Sequence, residues 1–227
     1  MPSTRSITPG PELSPAWRAQ LCRSLLGRCP GGPLCGQVQV RQNHGVQVCA
    51  AVRAEQGWRP DEQVCVVSAG GSGVGMHLLR RVAQAFPHAV QQRPGLRMIV
   101  VTGPRIDPAS VSVPTGVEVR GYVRDLSRLL AACDVAVVQG GLTTTMELTA
   151  ARRPFLYFPL GHHFEQQVHV PHRLAQYRAG TRLDYLTSTP ESIGRALVEA
   201  LDRPVQSLPV ETDGAQRAAA FIAELFA

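Results

Sequence analysis

Short apolar runs alternate with amphipathic segments along most of this chain, starting near Val52. Residues 64–68 (Val-Cys-Val-Val-Ser) form a continuous apolar run, which is typical of a strand buried on both faces of a sheet. A glycine-rich stretch follows, and after it Leu78 and Val82 lie on one side of a predicted helix over residues 76–86. The pattern therefore predicts a strand, a turn and a helix in succession.

The same alternation continues towards the C-terminus. Further strands are predicted over residues 97–103, 117–120, 134–138, 154–159 and 181–185, and further helices over residues 124–133, 143–151, 166–176, 190–201 and 215–226. Thr189 before Pro190 is a typical helix start. Strands that alternate with helices predict an α/β fold with a doubly wound, mostly parallel, Rossmann-like sheet. Ligands of such sheets bind beyond the carboxyl ends of the strands.

The first part of the chain has a different texture. Pro and Gly cluster at residues 9–15 and 30–36, and residues 38–52 alternate weakly between apolar and polar side chains. This alternation predicts weak strands. We predict an irregular or poorly ordered segment over residues 1–51 and one Rossmann-like domain over residues 52–227.

Composition narrows the range of partners. Of the 227 residues, 44% are hydrophobic and 18% are charged, which is typical of a globular domain. The net charge is +6, the sequence pI is about 9.4, and every basic residue is arginine. These features favour anionic partners such as phosphates or an acidic membrane surface, or they reflect genome composition. The arginines are scattered and have few aromatic residues between them, so nucleic-acid binding is not predicted.

Cysteine usage and the N-terminus bear on the compartment. The six cysteines lack the paired short spacing of a zinc site, and Cys65 and Cys133 fall in apolar positions that we expect to be buried. The N-terminal residues contain no apolar stretch of the kind found in secretory signals, and no window approaches the length of a membrane-spanning helix. We therefore expect a reduced, cytoplasmic protein.

The first loop that can carry chemistry spans residues 70–75 (Gly-Gly-Ser-Gly-Val-Gly). Glycines allow a diphosphate to approach the backbone closely, and the N-terminus of the following helix offers N–H groups to it. The loop does not match the Gly-x-Gly-x-x-Gly pattern of dinucleotide-binding domains, and it lacks the lysine of a P-loop. It also suits a tight turn between a strand and a helix.

The second loop spans residues 139–147 (Gln-Gly-Gly-Leu-Thr-Thr-Thr-Met-Glu) and follows the predicted strand over 134–138. Threonines beside Gly-Gly at a helix start offer N–H and hydroxyl donors to phosphate oxygens. Glu147 can accept hydrogen bonds from two vicinal hydroxyls. The alternative is an ordinary helix cap followed by a surface glutamate.

The third loop spans residues 162–167 (His-His-Phe-Glu-Gln-Gln) and follows the predicted strand over 154–159. A carboxylate and two amides supply both acceptors and donors, which suits recognition of several sugar hydroxyls. The alternative is an exposed polar helix start. His169 and His172 are three residues apart rather than the four of a His-Glu-x-x-His zinc helix, so a metal site is not predicted.

Taken together, these three loops resemble the C-terminal, donor-binding half of GT-B fold glycosyltransferases. The similarity is to the UDP-glycosyltransferases and to the bacterial transferase that adds N-acetylglucosamine to the lipid-linked peptidoglycan precursor, and it covers about residues 52–201. Gln139 and Thr143 stand where many relatives have His and Gly. The resemblance implies diphosphate contacts at Gly71, Ser72 and Gly73, uracil binding at Tyr122 and Val123, phosphate and ribose contacts at Gln139, Gly140, Gly141, Thr143, Thr144 and Glu147, and sugar recognition by Glu165, Gln166 and Gln167.

The resemblance also implies an activity. It indicates a hexosyltransferase domain, over residues 52–227, that uses a UDP-sugar as donor substrate and needs no metal or other cofactor. In that family an N-terminal domain of similar size carries the acceptor site and usually the general base, and residues 1–50 are too short for it. We therefore assign no catalytic residue.

Three arrangements are consistent with this. The first is a donor-binding subunit, or a truncated gene product, whose acceptor site lies on a separate protein; a membrane-associated partner would hold the subunit at the membrane periphery. The second is a non-catalytic module that binds a nucleotide sugar. The third is a fragment of a GT-B-like sugar-nucleotide epimerase.

Overall fold

One sheet of six parallel strands lies at the centre of this computed structural model, which describes residues 45–225 of the chain. The strands are β1 Gln63–Ser68, β2 Leu96–Val101, β3 Val117–Arg120, β4 Val135–Gln139, β5 Phe155–Phe158 and β6 Thr181–Arg182. Their spatial order is β3-β2-β1-β4-β5-β6, and every neighbouring pair is parallel. The chain builds the sheet outward from β1 on one side and from β4 on the other, which confirms the predicted doubly wound, Rossmann-like fold.

A loop with a 3₁₀ turn at Pro108–Ser110 joins β2 to β3, and α-helices precede β1, follow β6 and lie between the other successive strands. They are α1 Gly45–Glu55, α2 Met76–Gln84, α3 Phe86–Gln92, α4 Leu126–Ala132, α5 Leu142–Ala150, α6 Val170–Tyr177, α7 Pro190–Asp202 and α8 Gly214–Glu224. A turn of 3₁₀ helix at Gly73–Gly75 leads into α2, and a π-helical turn at Glu165–His169 leads into α6. Two of the three candidate loops therefore contain helical turns that are not α-helical.

The start of α7 follows the predicted capping pattern. The hydroxyl of Thr189 accepts a hydrogen bond from the backbone N–H of Ser192 at 3.2 Å, and Ser192 Oγ accepts one from the N–H of Thr189 at 2.9 Å. This reciprocal pair satisfies two N–H groups that have no partner within the helix. Pro190, which has no N–H to satisfy, occupies the first helical position.

Apolar side chains cover both faces of the sheet. In β1, Val64 and Val66 belong to one cluster, while Cys65 and Val67 belong to the other, and none of the four is exposed. Helices α2, α3 and α7 contribute to the Cys65 side, and α1, α4, α5 and α6 contribute to the Val64 side. Each fully buried Val or Leu side chain contributes about 1.5–3 kcal/mol to folding. Burial on both faces explains why the strands are continuously apolar.

The two core cysteines are free thiols, as their apolar sequence context predicts. Cys65 and Cys133 are both fully buried. Loss of hydration on burial raises the pKa of the Cys133 thiol to about 12. Burial also raises the pKa of the Cys65 thiol. Because the thiolate is the reactive form, neither side chain is a nucleophile in the folded domain.

The prediction of weak strands over residues 38–52 is wrong where the structure describes that segment, because residues 45–55 form α1. Side chains far away in the sequence hold this helix in place. Arg53 Nη1 forms an ion pair with Asp134 at 3.0 Å, and Cys49 Sγ lies 3.1 Å from the carbonyl oxygen of Ala131. The predicted division between residues 51 and 52 falls inside α1; residues 1–44 lie outside the described part, and the single domain over 52–227 remains a prediction.

The helix predicted over residues 76–86 is interrupted. Helix α2 ends at Gln84, and α3 begins at Phe86 with Pro87 in its first turn. Proline lacks the N–H that would continue the hydrogen bonding of α2 and clashes with the preceding turn, so the chain starts a second short helix there.

Residues 45–210 and residues 211–225 belong to separate compact units. The second of these contains α8, whose bounds are close to the helix predicted over 215–226. Among the helices of residues 45–225, none has both the length and the apolar character needed to cross a membrane.

Candidate functional site

A cavity of about 350 Å³ lies at the carboxyl edge of the sheet, where the loops after β1, β4 and β5 meet. Each of the three predicted loops contributes to its lining, through Ser72, Thr144 and Gln166 respectively. Strands β1 and β4 are neighbours, and the chain order reverses between them. Ligands of doubly wound sheets bind at this position, and the volume is within the range of small-molecule sites.

The loop after β1 is shaped by close packing of its backbone. A Cβ at Gly75 would lie 2.0 Å from the Cβ of Ala69, so the turn cannot accommodate a larger residue there. Ser72 has an extended backbone before the 3₁₀ turn, and its hydroxyl makes no capping hydrogen bond. At Gly71 a Cβ would meet no atom within 4 Å. Within the described residues, the backbone of Gly71 and the hydroxyl of Ser72 are therefore free to contact a ligand at the cavity.

The loop after β4 leads into α5 through two glycines. Gly140 packs closely against β5, since a Cβ there would lie 3.1 Å from Pro159 Cα. Gly141 is the N-cap residue and makes no side-chain cap, so the N–H groups of the first turn of α5 remain available. Such a helix start favours an anion.

The threonines of α5 have different roles. The hydroxyl of Thr145 donates to the carbonyl oxygens of Gly141 and Leu142, at 2.9 Å and 3.0 Å, so it is engaged within the helix. Thr144 lines the cavity, while Thr143 is exposed and does not. Gln139, at the end of β4, is buried and also lines the cavity. Thr144 and Gln139 thus place a hydroxyl and an amide beside the free N–H groups.

Glu147 lies one turn after Thr144, on the same face of α5. Its side chain is half-buried and outside the cavity lining. Burial raises the pKa of the Glu147 carboxyl. Among residues 45–225 no hydrogen-bond donor contacts this carboxylate. A ligand that extends from the cavity along α5 and carries hydroxyl groups would supply the donors that it lacks.

The loop after β5 reaches the cavity through Leu160, His163 and Gln166. Gln166 is only 9% exposed, and its Oε1 accepts a hydrogen bond from the backbone N–H of Leu160 at 2.9 Å. Gln167 Nε2 donates to the carbonyl oxygen of Leu160, also at 2.9 Å. Glu165 is exposed and does not line the cavity. Of the predicted sugar-recognition group, only Gln166 faces the cavity.

The remaining predicted residues lie outside the cavity lining. Besides those described above, Gly73 and Val123 are outside the lining, and Tyr122 is 69% exposed at the end of β3. Strand β3 is at the edge of the sheet, two strands from β1. The structure therefore separates the predicted base-binding loop from the predicted phosphate-binding loops by the width of β2.

Some lining residues were not predicted from the sequence. Leu160 and Val74 carry no chemical signal that could have indicated them. His163 falls within the third predicted loop, but no binding role was predicted for it. Within the described residues, no group of three or more His, Cys, Asp or Glu side chains is arranged to hold a metal ion.

A second hollow of about 310 Å³ lies at the opposite edge of the sheet, where β5 and β6 begin. Arg153, Arg178 and Arg203 line it, and they follow the last turns of α5, α6 and α7. Arginine at a helix C-terminus is favoured by the partial negative charge of the carbonyl groups there. The helix dipoles favour arginine at these positions, and Arg203 forms an ion pair with Glu199. The cavity at the carboxyl edge instead combines loops from three strand ends, so it is the candidate site.

Comparison with known proteins gives a family match over most of the chain. The profile described as "Glycosyltransferase family 28 C-terminal domain" matches residues 64–225. An uncharacterized glycosyltransferase of Methanopyrus kandleri is 28% identical over 174 residues, which are 76% of this chain and 48% of that protein. The UDP-N-acetylglucosamine--N-acetylmuramyl-(pentapeptide) pyrophosphoryl-undecaprenol N-acetylglucosamine transferase of Anaeromyxobacter sp. (strain K) is 29% identical over 140 residues, 59% of this chain and 37% of the relative.

Solved structures of glycosyltransferases share the fold. The glycotransferase of kitacinnamycin has a TM-score of 0.58 and 21% identity, covering 88% of this chain and 48% of that one. The calicheamicin glycosyltransferase CalG4 has a TM-score of 0.52 and 23% identity, covering 74% of this chain and 43% of that one. In each comparison the chain spans about half the length of the relative, or less.

Proposed function

Because this chain belongs to the glycosyltransferase family 28 C-terminal domains, which form one half of GT-B glycosyltransferases, we propose that it binds the nucleotide-sugar donor of a hexosyl transfer, with a UDP-sugar as the donor. The cavity at the carboxyl edge carries this proposal. It collects Ser72, Thr144 and Gln166, from three different strand ends, around one volume. A relative of the chain is named for transfer from UDP-N-acetylglucosamine, which supports a UDP-sugar as the ligand.

Different residues bind the three parts of the donor: the diphosphate, the ribose and the sugar. The backbone of Gly71 and the first turn of α5, with the hydroxyls of Ser72 and Thr144, hold the diphosphate. Among residues 45–225, no arginine lines the cavity, so N–H groups and helix N-termini supply the positive potential there. Glu147 accepts hydrogen bonds from the ribose hydroxyls, and the sugar lies against Gln166.

The base and the remaining predicted contacts complete the site. Uracil lies on the backbone at Tyr122 and Val123, and Gly73, Gln139, Gly140 and Thr143 shape the phosphate loops. Tyr122 is exposed at the carboxyl edge, as a residue that meets a bound base must be. No metal or other cofactor is needed for this mode of binding.

The reaction is displacement at the anomeric carbon of the sugar. The acceptor oxygen forms a bond to that carbon, the bond to the diphosphate breaks, and the nucleoside diphosphate leaves with the negative charge. Preorganised N–H donors stabilise the charge that develops on the leaving group. A general base on the acceptor side removes the acceptor's proton, and residues 45–225 contribute the donor side.

The acceptor side belongs to a separate domain or protein in this proposal. The chain matches 48% of one relative and 37% of another, so half or more of each relative lies outside the matched region. A membrane-associated acceptor-binding partner would place the domain at the cytoplasmic face of a membrane.

Ligand-induced stabilisation and calorimetric titration test the proposal. UDP at one hundred times its Kd should raise the free energy of unfolding by about 2.7 kcal/mol, since it binds only the folded domain. Glu147→Ala should weaken the binding of UDP about tenfold, because a charge-assisted hydrogen bond is lost. The same variant should bind inorganic diphosphate with unchanged affinity. Glu191→Ala, at an exposed position on α7, is the matched control. A wild-type domain that UDP does not stabilise would refute the proposal.

A further inference from the structure

Two adjacent glutamines hold the peptide groups on either side of Leu160. Its N–H donates to Gln166 Oε1, and its carbonyl oxygen accepts from Gln167 Nε2, both at 2.9 Å. Leu160 follows β5 and lines the cavity, while the glutamines lie on the π-helical turn. The loop after β5 is thereby tied to the helical segment that faces the donor sugar.

These contacts fix the orientation of both amides. A backbone N–H can only donate and a carbonyl can only accept, so the atom of Gln166 beside the Leu160 N–H must be the oxygen. The Nε2 donors of Gln166 are then left for the cavity. Gln167 uses its nitrogen on Leu160, and its Oε1 accepts a hydrogen bond from Arg182 Nη2 at 2.6 Å. Each amide therefore has one possible orientation.

Arg182 is held by the sheet itself. It lies in β6, opposite Tyr157 of β5 in the parallel register, and the N–H of Leu183 donates to the carbonyl oxygen of Tyr157 at 3.0 Å. Among residues 45–225, no carboxylate forms an ion pair with Arg182. Its guanidinium is directed to Gln167 instead, and a charge-assisted hydrogen bond is stronger than a neutral one.

We propose that Arg182 is a positioning residue for donor-sugar recognition. Through Gln167 it fixes Leu160, and Leu160 in turn fixes Gln166 with only hydrogen-bond donors towards the cavity. The group that Gln166 recognises is an acceptor, such as a hydroxyl oxygen or an acyl carbonyl oxygen of the sugar. Gln167 then acts as a brace between Arg182 and Leu160 rather than as a sugar contact. This inference rests on the proposed function.

Near-isosteric variants test separately each hydrogen bond that connects Arg182, Gln167, Leu160 and Gln166. Gln166→Glu keeps an acceptor for the Leu160 N–H but removes the donors that face the cavity. Gln167→Glu keeps the acceptor for Arg182 but cannot donate to the Leu160 carbonyl. Arg182→Ala removes the anchor, and Arg182→Lys retains a donor. Arg195→Ala is the control, because Arg195 is exposed and its ion pair is with Glu191 of the same helix.

The measurement is the ratio of the Kd of UDP to the Kd of UDP-N-acetylglucosamine, by calorimetric titration. This ratio isolates the contribution of the sugar. We expect Arg182→Ala, Gln166→Glu and Gln167→Glu each to lower it about 2- to 12-fold, the range of one hydrogen bond. The Kd of UDP should stay within about twofold in Arg182→Ala and Gln167→Glu. Gln166→Glu also brings a carboxylate near the diphosphate, which weakens both ligands, so only its ratio is compared. Arg182→Lys should recover part of the loss, and Arg195→Ala should match the wild type.

Three results would overturn the inference. One is an Arg182→Ala variant whose ratio equals that of the wild type. The second is an equal loss for UDP and UDP-N-acetylglucosamine together with a lower melting temperature, which would show a purely structural role. The third is a wild-type domain that binds the two ligands equally. Absence of UDP binding by the wild type is different, because it refutes the proposed function as well.

Discussion

Three glycines offer a direct test of the cavity, because a single methyl group has a different consequence at each. At Gly141 a Cβ would meet no atom within 4 Å, and the residue lines the cavity with φ −73° and ψ 135°. These angles are accessible to alanine. At Gly75 the added Cβ would lie 2.0 Å from Ala69 Cβ. Gly95 also has open space around it, but it precedes β2 at the opposite edge of the sheet.

The expected effect of Gly141→Ala on stability is small. Replacing glycine by alanine at compatible dihedral angles stabilises by about 0.4–1 kcal/mol, because the unfolded chain loses freedom. Alanine is the poorer N-cap residue by an amount of similar size. The two effects offset each other to within about 0.5 kcal/mol, so the variant should fold like the wild type.

The expected effect of Gly141→Ala on binding is large. In the proposed binding mode, a phosphate oxygen reaches the N–H groups of α5 through the space that this methyl group would occupy. Loss of one hydrogen bond to a charged group costs about 1.5–3 kcal/mol, which corresponds to UDP binding that is about 10- to 150-fold weaker. Gly75→Ala should instead destabilise the fold by about 1–3 kcal/mol, through overpacking against Ala69.

Chemical denaturation and calorimetric titration with UDP, applied to all three variants, check both effects. Gly95→Ala should bind UDP like the wild type, since its methyl group is far from the cavity. The reasoning is refuted if Gly141→Ala binds UDP as tightly as Gly95→Ala does. It is also refuted if Gly141→Ala is as destabilised as Gly75→Ala, because its effect on UDP would then be a folding defect.

Two further predictions concern titratable groups. Burial raises the pKa of Glu147, and in the proposed site its ionised form accepts hydrogen bonds from the ribose hydroxyls. Affinity for UDP-N-acetylglucosamine, which has no terminal phosphate to titrate, should therefore fall as the pH is lowered through this raised pKa, and calorimetry at a series of pH values should show proton release on binding. Glu147→Gln should bind UDP-N-acetylglucosamine more weakly and with a smaller pH dependence than the wild type, and a wild-type profile as flat as that of the variant would contradict the ribose role. Cys65 and Cys133 should resist a thiol reagent that modifies Cys49, because both are buried and the pKa of Cys133 is about 12. Mass mapping should find Cys65 and Cys133 modified only in denaturant, and their modification in the native state would contradict their burial.

The alternation of strands and helices could be predicted from the sequence because both patterns are local. A strand buried on both faces must be apolar throughout, as in residues 64–68, and a helix packed on a sheet must repeat its apolar positions. The same reasoning gave the wrong element for residues 45–52. Apolar spacing there fits a strand as well as a helix, and the ion pair between Arg53 and Asp134 joins residues far apart in the chain.

The candidate site was predictable to the extent that topology decides it. Loops that follow parallel strands must emerge at the same edge, so Ser72, Thr144 and Gln166 could be expected to meet, and they line one cavity. The contributions of Leu160 and His163 could not be foreseen, because they depend on the path of the loop after β5. The half-burial of Glu147 likewise depends on the packing of α5.

The sequence by itself determined the order of elements and the ends of the strands where chemistry is concentrated, because periodicity and glycine placement are properties of neighbouring residues. Only the tertiary structure decided what each polar group is free to do. Gln166 and Gln167 are identical side chains next to each other in the chain. Gln166 uses its oxygen on the Leu160 N–H and so has its N–H donors left for the cavity. Gln167 donates to the Leu160 carbonyl oxygen and accepts from Arg182 of β6, so it holds Leu160 in place. The polarity of a hydrogen-bonding side chain is set by its partners, and those partners are brought together by the fold.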